Sequence, residues 1–217
     1  MNINHATVEE FTGDKLQAIF TRQKSLMDKY HDIELRSGLL QTEDCPVNLD
    51  DKRGQARIKD FSWRVTEELG EALDAKATKD HYQEELIDGL HFLTELTILA
   101  GKDYHNLPPY GTALYSKDRL ENLVENAKEC ISQNGDNLNY WVSKFIENLG
   151  MMCNCLKNKP WKQSMMKTDR NAFYGRLAEV WVLYITILVV SGMDADSIVT
   201  TYLKKSQVNK FRIRSAY

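Results

Sequence analysis

The chain has 217 residues, of which 42% are hydrophobic and 27% charged, with a formal net charge of -3 at pH 7. This composition is typical of a globular protein, and the charge gives no basis for nonspecific nucleic-acid binding. The longest largely apolar run, residues 180–190, is too short to cross a bilayer, and no signal-peptide pattern is visible at the start. The sequence therefore predicts a cytoplasmic protein without membrane or nucleic-acid partners, whose four cysteines are reduced thiols.

Hydrophobic residues recur at helical spacing along most of the chain, which has only four prolines and eleven glycines. In the first segment, for example, Leu16, Ile19 and Leu26 fall on one stripe. No segment alternates as strands do, so the predicted fold class is an all-α helical bundle. We predict loops at residues 35–54 and around Pro108. The predicted helices cover residues 14–34, 56–77, 80–100, 117–132, 138–156, 171–190 and 194–208.

Two parts of the chain are similar to each other. The stretches LIDGLHFLTELTILAGKD and LAEVWVLYITILVVSGMD align without gaps, which places Asp88 on Glu179 and Glu85 on Arg176. Upstream of them, SWRVTEELGE is similar to YWVSKFIENLG. This predicts a degenerate internal repeat, although two amphipathic helices can also be alike by chance. The predicted organisation is a single domain, 1–217, with a metal-binding half, 1–103, and a half, 104–217, that combines the degenerate copy with a basic C-terminal segment.

Four carboxylates lie on two neighbouring predicted helices. Glu68 and Glu71 share one face of the first helix, and Glu85 and Asp88 share one face of the second. Thirteen residues separate Glu71 from Glu85, enough for the chain to turn and bring the two faces together. Glu71, Glu85 and Asp88 have no Lys or Arg at helical spacing, so bound cations would relieve the repulsion. Such oxygen ligands suit Mg²⁺ or Mn²⁺ and indicate phosphate chemistry, whereas the alternative is an ordinary solvated helix face.

The C-terminal segment YLKKSQVNKFRIRSAY is basic. It carries five Lys and Arg side chains, while Asn209 and Tyr217 add neutral hydrogen-bonding groups. Such donors suit phosphate oxygens, and with a metal-loaded acidic half they match a triphosphate. We expect this segment to close over the triphosphate and to become ordered on binding, whereas the alternative is a tail that stays disordered.

The ELGE and ELID stretches resemble the ExxE…ExxD signature of the all-α NTP pyrophosphatases, the MazG-like superfamily. Within it, the chain is most similar to the dimeric dUTPases and the related phage dCTP/dUTP pyrophosphatases. The further residues that carry this resemblance are Trp63, His91 and Phe92, with Lys205, Asn209, Arg212 and Tyr217 of the ending K-x3-N-x2-R-x4-Y.

The resemblance implies that a homodimer of bacterial or phage origin hydrolyses a deoxynucleoside triphosphate, dUTP or dCTP foremost, to the monophosphate and pyrophosphate. Metal-activated water would attack the α-phosphorus, with Glu68 and Glu71 as catalytic residues, or Glu67 as a second candidate to orient the water. Mg²⁺, or alternatively Mn²⁺, would be held by Glu68, Glu71, Glu85 and Asp88. The implied phosphate-binding residues are Lys205, Asn209, Arg212 and Tyr217. The implied base- and sugar-binding residues are Gln23, Trp63, His91 and Phe92, although Trp63 as a buried anchor and the other two aromatics as core residues are alternatives.

The chain departs from the family pattern where relatives carry Gln-x2-Leu-Asn on the first helix. Met27 stands at the Asn position, four residues after Gln23, and a thioether donates no hydrogen bond. Ile213 and Ala216 also replace the usual Gln and Gly of the C-terminal ending. These changes predict a relaxed or shifted base preference. A pyrophosphatase for a modified or purine dNTP, and a catalytically inactive helical binding or regulatory protein, stay open as alternatives.

Overall fold

The computed structural model describes residues 3, 6–8, 10–37, 45–108, 117–159 and 161–215, and this part of the chain folds into seven α-helices without strands. The predicted all-α fold class is therefore confirmed. The helices are α1 (Lys15–Ser37), α2 (Lys52–Asp74), α3 (Lys79–Leu99), α4 (Arg119–Asn134), α5 (Leu138–Asn154), α6 (Arg170–Val190) and α7 (Ala195–Arg214).

Helix α2 begins four residues earlier than predicted. The Asp51 side chain accepts hydrogen bonds from the backbone N–H groups of Arg53 and Gly54 and so caps the helix at Lys52. Gly54 lies so close to the backbone of Asn48 that a Cβ at this position would collide with the Asn48 carbonyl. Gly54, which we predicted to lie in a loop, is therefore inside the first turn of α2, where the absence of a side chain allows the close approach of the Asn48 backbone.

Helix α6 packs against α3, α4 and α5. It is predominantly apolar, and its large side chains Trp181 and Tyr184 are fully buried. By length and composition this helix could cross a membrane. More than half of its most apolar stretch is, however, buried inside the fold, as in the core helix of a globular protein.

The contact between α3 and α6 fixes the helix that carries Glu85 and Asp88. The Tyr184 hydroxyl donates a 2.8 Å hydrogen bond to the Leu86 carbonyl, and Trp181 Nε1 donates to Thr97 Oγ1 at 2.8 Å. Gly89 makes room for this approach, because a Cβ at this position would collide with the Tyr184 hydroxyl. The acidic helix is thereby held against the core on one side.

The helices pack in the pairs that the internal repeat requires, α2 with α3 and α5 with α6. The repeat itself and the division into halves at residue 103 stay predictions.

Helix α7 runs to Arg214 instead of ending near residue 208. No Gly or Pro interrupts it, and Lys205, Ser206 and Val208 are buried where it packs against α1 and α3. The basic segment is therefore helical up to Arg214, so the alternative of a disordered tail is wrong for these residues, whereas closure and ordering on a bound triphosphate stay predictions. Tyr217 lies outside the described residues.

Candidate active site

Three of the four predicted metal ligands converge between α2 and α3. Oxygen atoms of Glu68, Glu85 and Asp88, all partly buried, lie within 4.8 Å of one another. The i, i+3 spacing on α3 places Glu85 and Asp88 on one face, and Glu68 faces them from α2. Glu71, one turn further along α2, is exposed and does not belong to this group of three.

The three carboxylates repel one another. The pKa of Glu68 is raised to about 8 by burial first and then by the charges of Asp88, Glu71 and Glu85. Burial and the Asp88 charge also raise the pKa of Glu85. Carboxyl groups this close together repel one another when all of them are ionised. Their oxygens therefore suit a hard divalent cation such as Mg²⁺.

The cluster has two basic neighbours, of which His81 lies at helical spacing from Glu85 and Lys205 comes from a distant helix. Lys205 Nζ reaches across from α7 to lie 2.6 Å from Asp88 Oδ2 and 3.9 Å from a Glu84 oxygen, and its side chain is buried. His81 Nδ1 lies 3.1 Å from Glu85 Oε1, one turn before it on the same helix. Lys205, predicted to bind phosphate, is therefore placed beside the predicted metal ligands.

A cavity of about 280 Å³ opens beside the cluster. Glu68 and Asp88 line one part of it together with Asn209 and Arg212 of α7. The cavity therefore joins the acidic group to two of the predicted phosphate-binding side chains. Three of the predicted base- and sugar-binding residues, Gln23, His91 and Phe92, line the same cavity.

His91 makes its hydrogen bonds inside the protein. Its Nδ1 donates to the Ile87 carbonyl at 2.9 Å, which leaves Nε2 to accept from the Ser206 hydroxyl at 2.9 Å. The ring stacks on Tyr202 at a centroid distance of 3.7 Å. Burial lowers the pKa of His91 to about 4, so the imidazole is neutral at physiological pH. His91 of α3 therefore connects to α7 through its hydrogen bond with Ser206, and it forms part of the cavity wall.

Gln23 is also buried and engaged. Its Nε2 donates to Glu95 Oε2 at 2.8 Å, and its Oε1 accepts from the Tyr202 hydroxyl at 2.7 Å. Phe92, partly buried, packs edge-on against Phe61 with ring centroids 6.1 Å apart. These contacts fix both side chains in the cavity wall.

Trp63 and Glu67 lie elsewhere. Trp63 is 62% exposed, so the alternative of a buried anchor is wrong, and it is not among the residues that line the cavity. Its Nε1 donates to Glu67 Oε1 at 2.8 Å, an i, i+4 contact on the outer face of α2. The structure therefore does not bring Trp63 together with Gln23, His91 and Phe92, and it keeps Glu67 out of the acidic group.

Sequence reasoning missed three charged residues of the cavity wall, Arg64, Glu34 and Glu95. Arg64 packs over the Phe61 ring and lies 3.7 Å from Glu34. Glu95 follows Asp88 by seven residues, which is two helical turns on the same face, and this spacing was readable from the sequence. Burial and the Glu34 charge raise the pKa of Glu95 to about 7.

Met27 lines a neighbouring cavity of about 750 Å³, which Gln23 does not line. Glu34 and Glu95 form a wall that the two cavities share. Met27 and Gln23 therefore line different cavities, and Glu95 is the residue that contacts the Gln23 amide.

The second helix pair holds no comparable group. Glu179 pairs with Arg176 at 2.9 Å and Glu147 pairs with Lys144 at 2.9 Å, each on its own helix and largely exposed. These are ordinary surface ion pairs. That this pair carries no catalytic metal stays a prediction.

The fold and the cavity thus define an all-α protein whose carboxylate cluster and cationic helix meet in one cleft. A family model described as dUTPase matches residues 72–217. The chain belongs to this dUTPase family, whose members are nucleotide pyrophosphatases. The match includes Glu85, Asp88, His91 and the C-terminal helix, whereas Glu68 and Glu71 precede it. No curated protein and no solved structure matches the chain.

Proposed function

We propose that this protein hydrolyses deoxynucleoside triphosphates to the monophosphate and pyrophosphate, and that the reaction requires Mg²⁺, with Mn²⁺ as a substitute. The observation that carries the proposal is the position of the cavity between two sets of groups. Glu68, Glu85 and Asp88 supply oxygen ligands within 4.8 Å of one another, and Asn209 and Arg212 face the same space from α7.

Glu68, Glu85 and Asp88 would hold the metal, with Glu71 as the predicted fourth ligand at the exposed end. A bound metal ion lowers the pKa of its water and neutralises the phosphate oxygens. Glu68 is our candidate to orient the attacking water and accept its proton, because burial and then the neighbouring carboxylates raise its pKa.

The cations of α7 complete the proposed substrate site. Arg212 binds phosphate oxygens through its fork of N–H donors, and Lys205 contributes a positive charge beside Asp88. Asn209 donates an amide N–H to the phosphates, and Tyr217 stays a predicted phosphate ligand. One water is consumed, and the bond between the α-phosphorus and its bridging oxygen breaks to release pyrophosphate.

The experiment is a substrate panel on the full chain. The common dNTPs, dUTP and the NTPs are incubated with Mg²⁺ or with EDTA, and released pyrophosphate is measured. We expect turnover of at least one pyrimidine dNTP with Mg²⁺ and none with EDTA.

Glu68→Gln should abolish most of this turnover, and Glu179→Gln is its matched control on the second helix pair. The absence of pyrophosphate release from every nucleotide would refute the proposal and favour an inactive helical binding protein. Selective turnover of a purine or modified dNTP would instead support the alternative substrate class.

A homodimer, a bacterial or phage source and a cytoplasmic location stay predictions from the resemblance and the composition. Light scattering coupled to size-exclusion chromatography measures the oligomeric state directly.

A further inference from the structure

Glu95 is a buried carboxyl group that the proposed hydrolysis does not use. It is 7% exposed on α3, and the helical rise places it about 10 Å along the axis from Asp88. Burying a carboxyl group is costly unless it is paired. Within the described chain, no Lys or Arg forms an ion pair with Glu95. The nearby Arg57 pairs with Glu34 at 2.7 Å, and Arg64 pairs with Asp60 at 2.9 Å.

The partner of Glu95 is the Gln23 amide, whose orientation is fixed at both ends. Tyr202, itself fully buried, donates to Gln23 Oε1, and this turns the amide nitrogen towards Glu95. An amide nitrogen carries two hydrogens and a carboxylate has two oxygens. Among the described residues, no partner takes the second Gln23 hydrogen or the second Glu95 oxygen.

Both side chains line the cavity that also contains Glu68 and Asp88. If the phosphates lie at the acidic group, the nucleoside extends along α3 towards Gln23 and Glu95, with Phe92 beside it. The cavity wall therefore presents a neighbouring N–H donor and carboxylate acceptor at the base end.

We infer that Gln23 and Glu95 together read the base edge and select a 4-aminopyrimidine, so that deoxycytidine triphosphate is preferred over deoxyuridine triphosphate. This inference rests on the proposed function, since it names the substrate class of the same site. Cytosine presents the ring acceptor N3 beside the amino donor N4, which matches an N–H donor beside a carboxylate. Uracil presents N3–H beside the acceptor O4, so its oxygen would face the carboxylate and its N–H would face the amide N–H.

This kind of selection combines attraction with repulsion. The cytosine amino group satisfies a buried carboxylate, whereas uracil leaves it without a donor and adds an unfavourable oxygen contact. Sites built to hydrogen-bond a particular group discriminate more strongly than apolar pockets do.

The test measures kcat/KM for dCTP and dUTP with Mg²⁺ on three proteins, wild type, Glu95→Gln and Glu179→Gln. Glutamine keeps the shape of Glu95, but its amide donates or accepts according to how it is turned. We expect the wild type to favour dCTP, and Glu95→Gln to lower the dCTP to dUTP ratio by roughly 10- to 100-fold. The same change at the exposed Glu179 should leave the ratio unaltered, and circular dichroism checks that both variants fold.

A second measurement leaves the protein unchanged and alters the substrate. N4,N4-dimethyl-dCTP lacks both amino hydrogens, so its kcat/KM on the wild type should lose the advantage of dCTP. A wild type that prefers dUTP, or a Glu95→Gln variant that loses both substrates equally, overturns the base assignment while leaving pyrophosphate release intact.

A binding experiment separates this inference from the proposed function. The α,β-imido analogues of dCTP and dUTP are titrated into the wild type and Glu95→Gln by calorimetry. If no nucleotide is hydrolysed, the proposed function fails, but preferential binding of the dCTP analogue that disappears in Glu95→Gln still supports base selection. Equal affinity for the two analogues in the wild type refutes it.

Discussion

Replacing Glu68 with Gln should abolish activity and stabilise the metal-free protein. Glu68 lies within 4.8 Å of Asp88 and Glu85 without an ion-pair partner of its own among the described residues, and the Lys205 charge offsets the rise of its pKa only in part. An amide of the same shape keeps the packing and removes one of the three mutually repelling charges.

The size of the gain follows from the pKa of Glu68, which rises from 4.5 to about 8 on folding. A raised carboxyl pKa contributes stability that is fully present below pH 4.5 and is lost as pH rises through about 8. Each pKa unit corresponds to about 1.4 kcal/mol, and solvent that reaches this partly buried group screens the effect. We therefore expect Glu68→Gln to be more stable than the wild type by about 1–3 kcal/mol at pH 8.5, and by much less at pH 5.

Thermal unfolding in EDTA at both pH values measures this difference. For a chain of this size the gain corresponds to about 2–12 °C in Tm. Glu147→Gln is the control, because Lys144 lowers the pKa of Glu147 and its removal relieves no repulsion. The reasoning is refuted if Glu68→Gln is no more stable than the wild type at pH 8.5, or if its advantage does not grow with pH.

Three further outcomes are expected. Asp88→Asn should lower kcat by at least ~10², because it removes a proposed metal ligand, and full activity in steady-state kinetics with saturating Mg²⁺ would contradict this assignment. Glu179→Gln should keep kcat/KM within a few-fold of the wild type, since its partner is Arg176 on an exposed face; a large loss would place the second helix pair in catalysis. His91 has a folded pKa of about 4 against 6.5 unfolded, so the wild type should lose about 2–3 kcal/mol more than His91→Gln between pH 7 and 4.5 in urea unfolding, and equal losses would contradict its neutral buried state.

Local spacing predicted what depends on one helix or on two consecutive ones. The i, i+3 pairs placed Glu85 and Asp88 on one face, and the short connection brought Glu68 of α2 to meet them. The seven helices followed from hydrophobic periodicity in the same way. These features are set by helical geometry and chain connectivity, which the sequence displays directly.

Contacts between distant segments were not readable in this way. Lys205 follows Asp88 by more than a hundred residues, and its approach to 2.6 Å depends on how α7 packs against α3. Trp63 shows the same limit, because burial of an aromatic side chain depends on which neighbour covers its helix face, and here none of the described residues does so fully. Glu95 had readable spacing, but only tertiary packing shows that it is buried beside Gln23.

Gly89 adjoins Asp88 in the chain and leaves room for the Tyr184 hydroxyl on one side and the Glu68 stem on the other. Any side chain at this position would force α3 away from α6 or α2 and separate the carboxylates that we propose to share a cation. A saturation library at position 89 should therefore be as intolerant as one at position 88, although residue 89 has no side chain with which to touch the nucleotide. The absence of a Cβ atom at Gly89 thus allows the close spacing of the acidic groups.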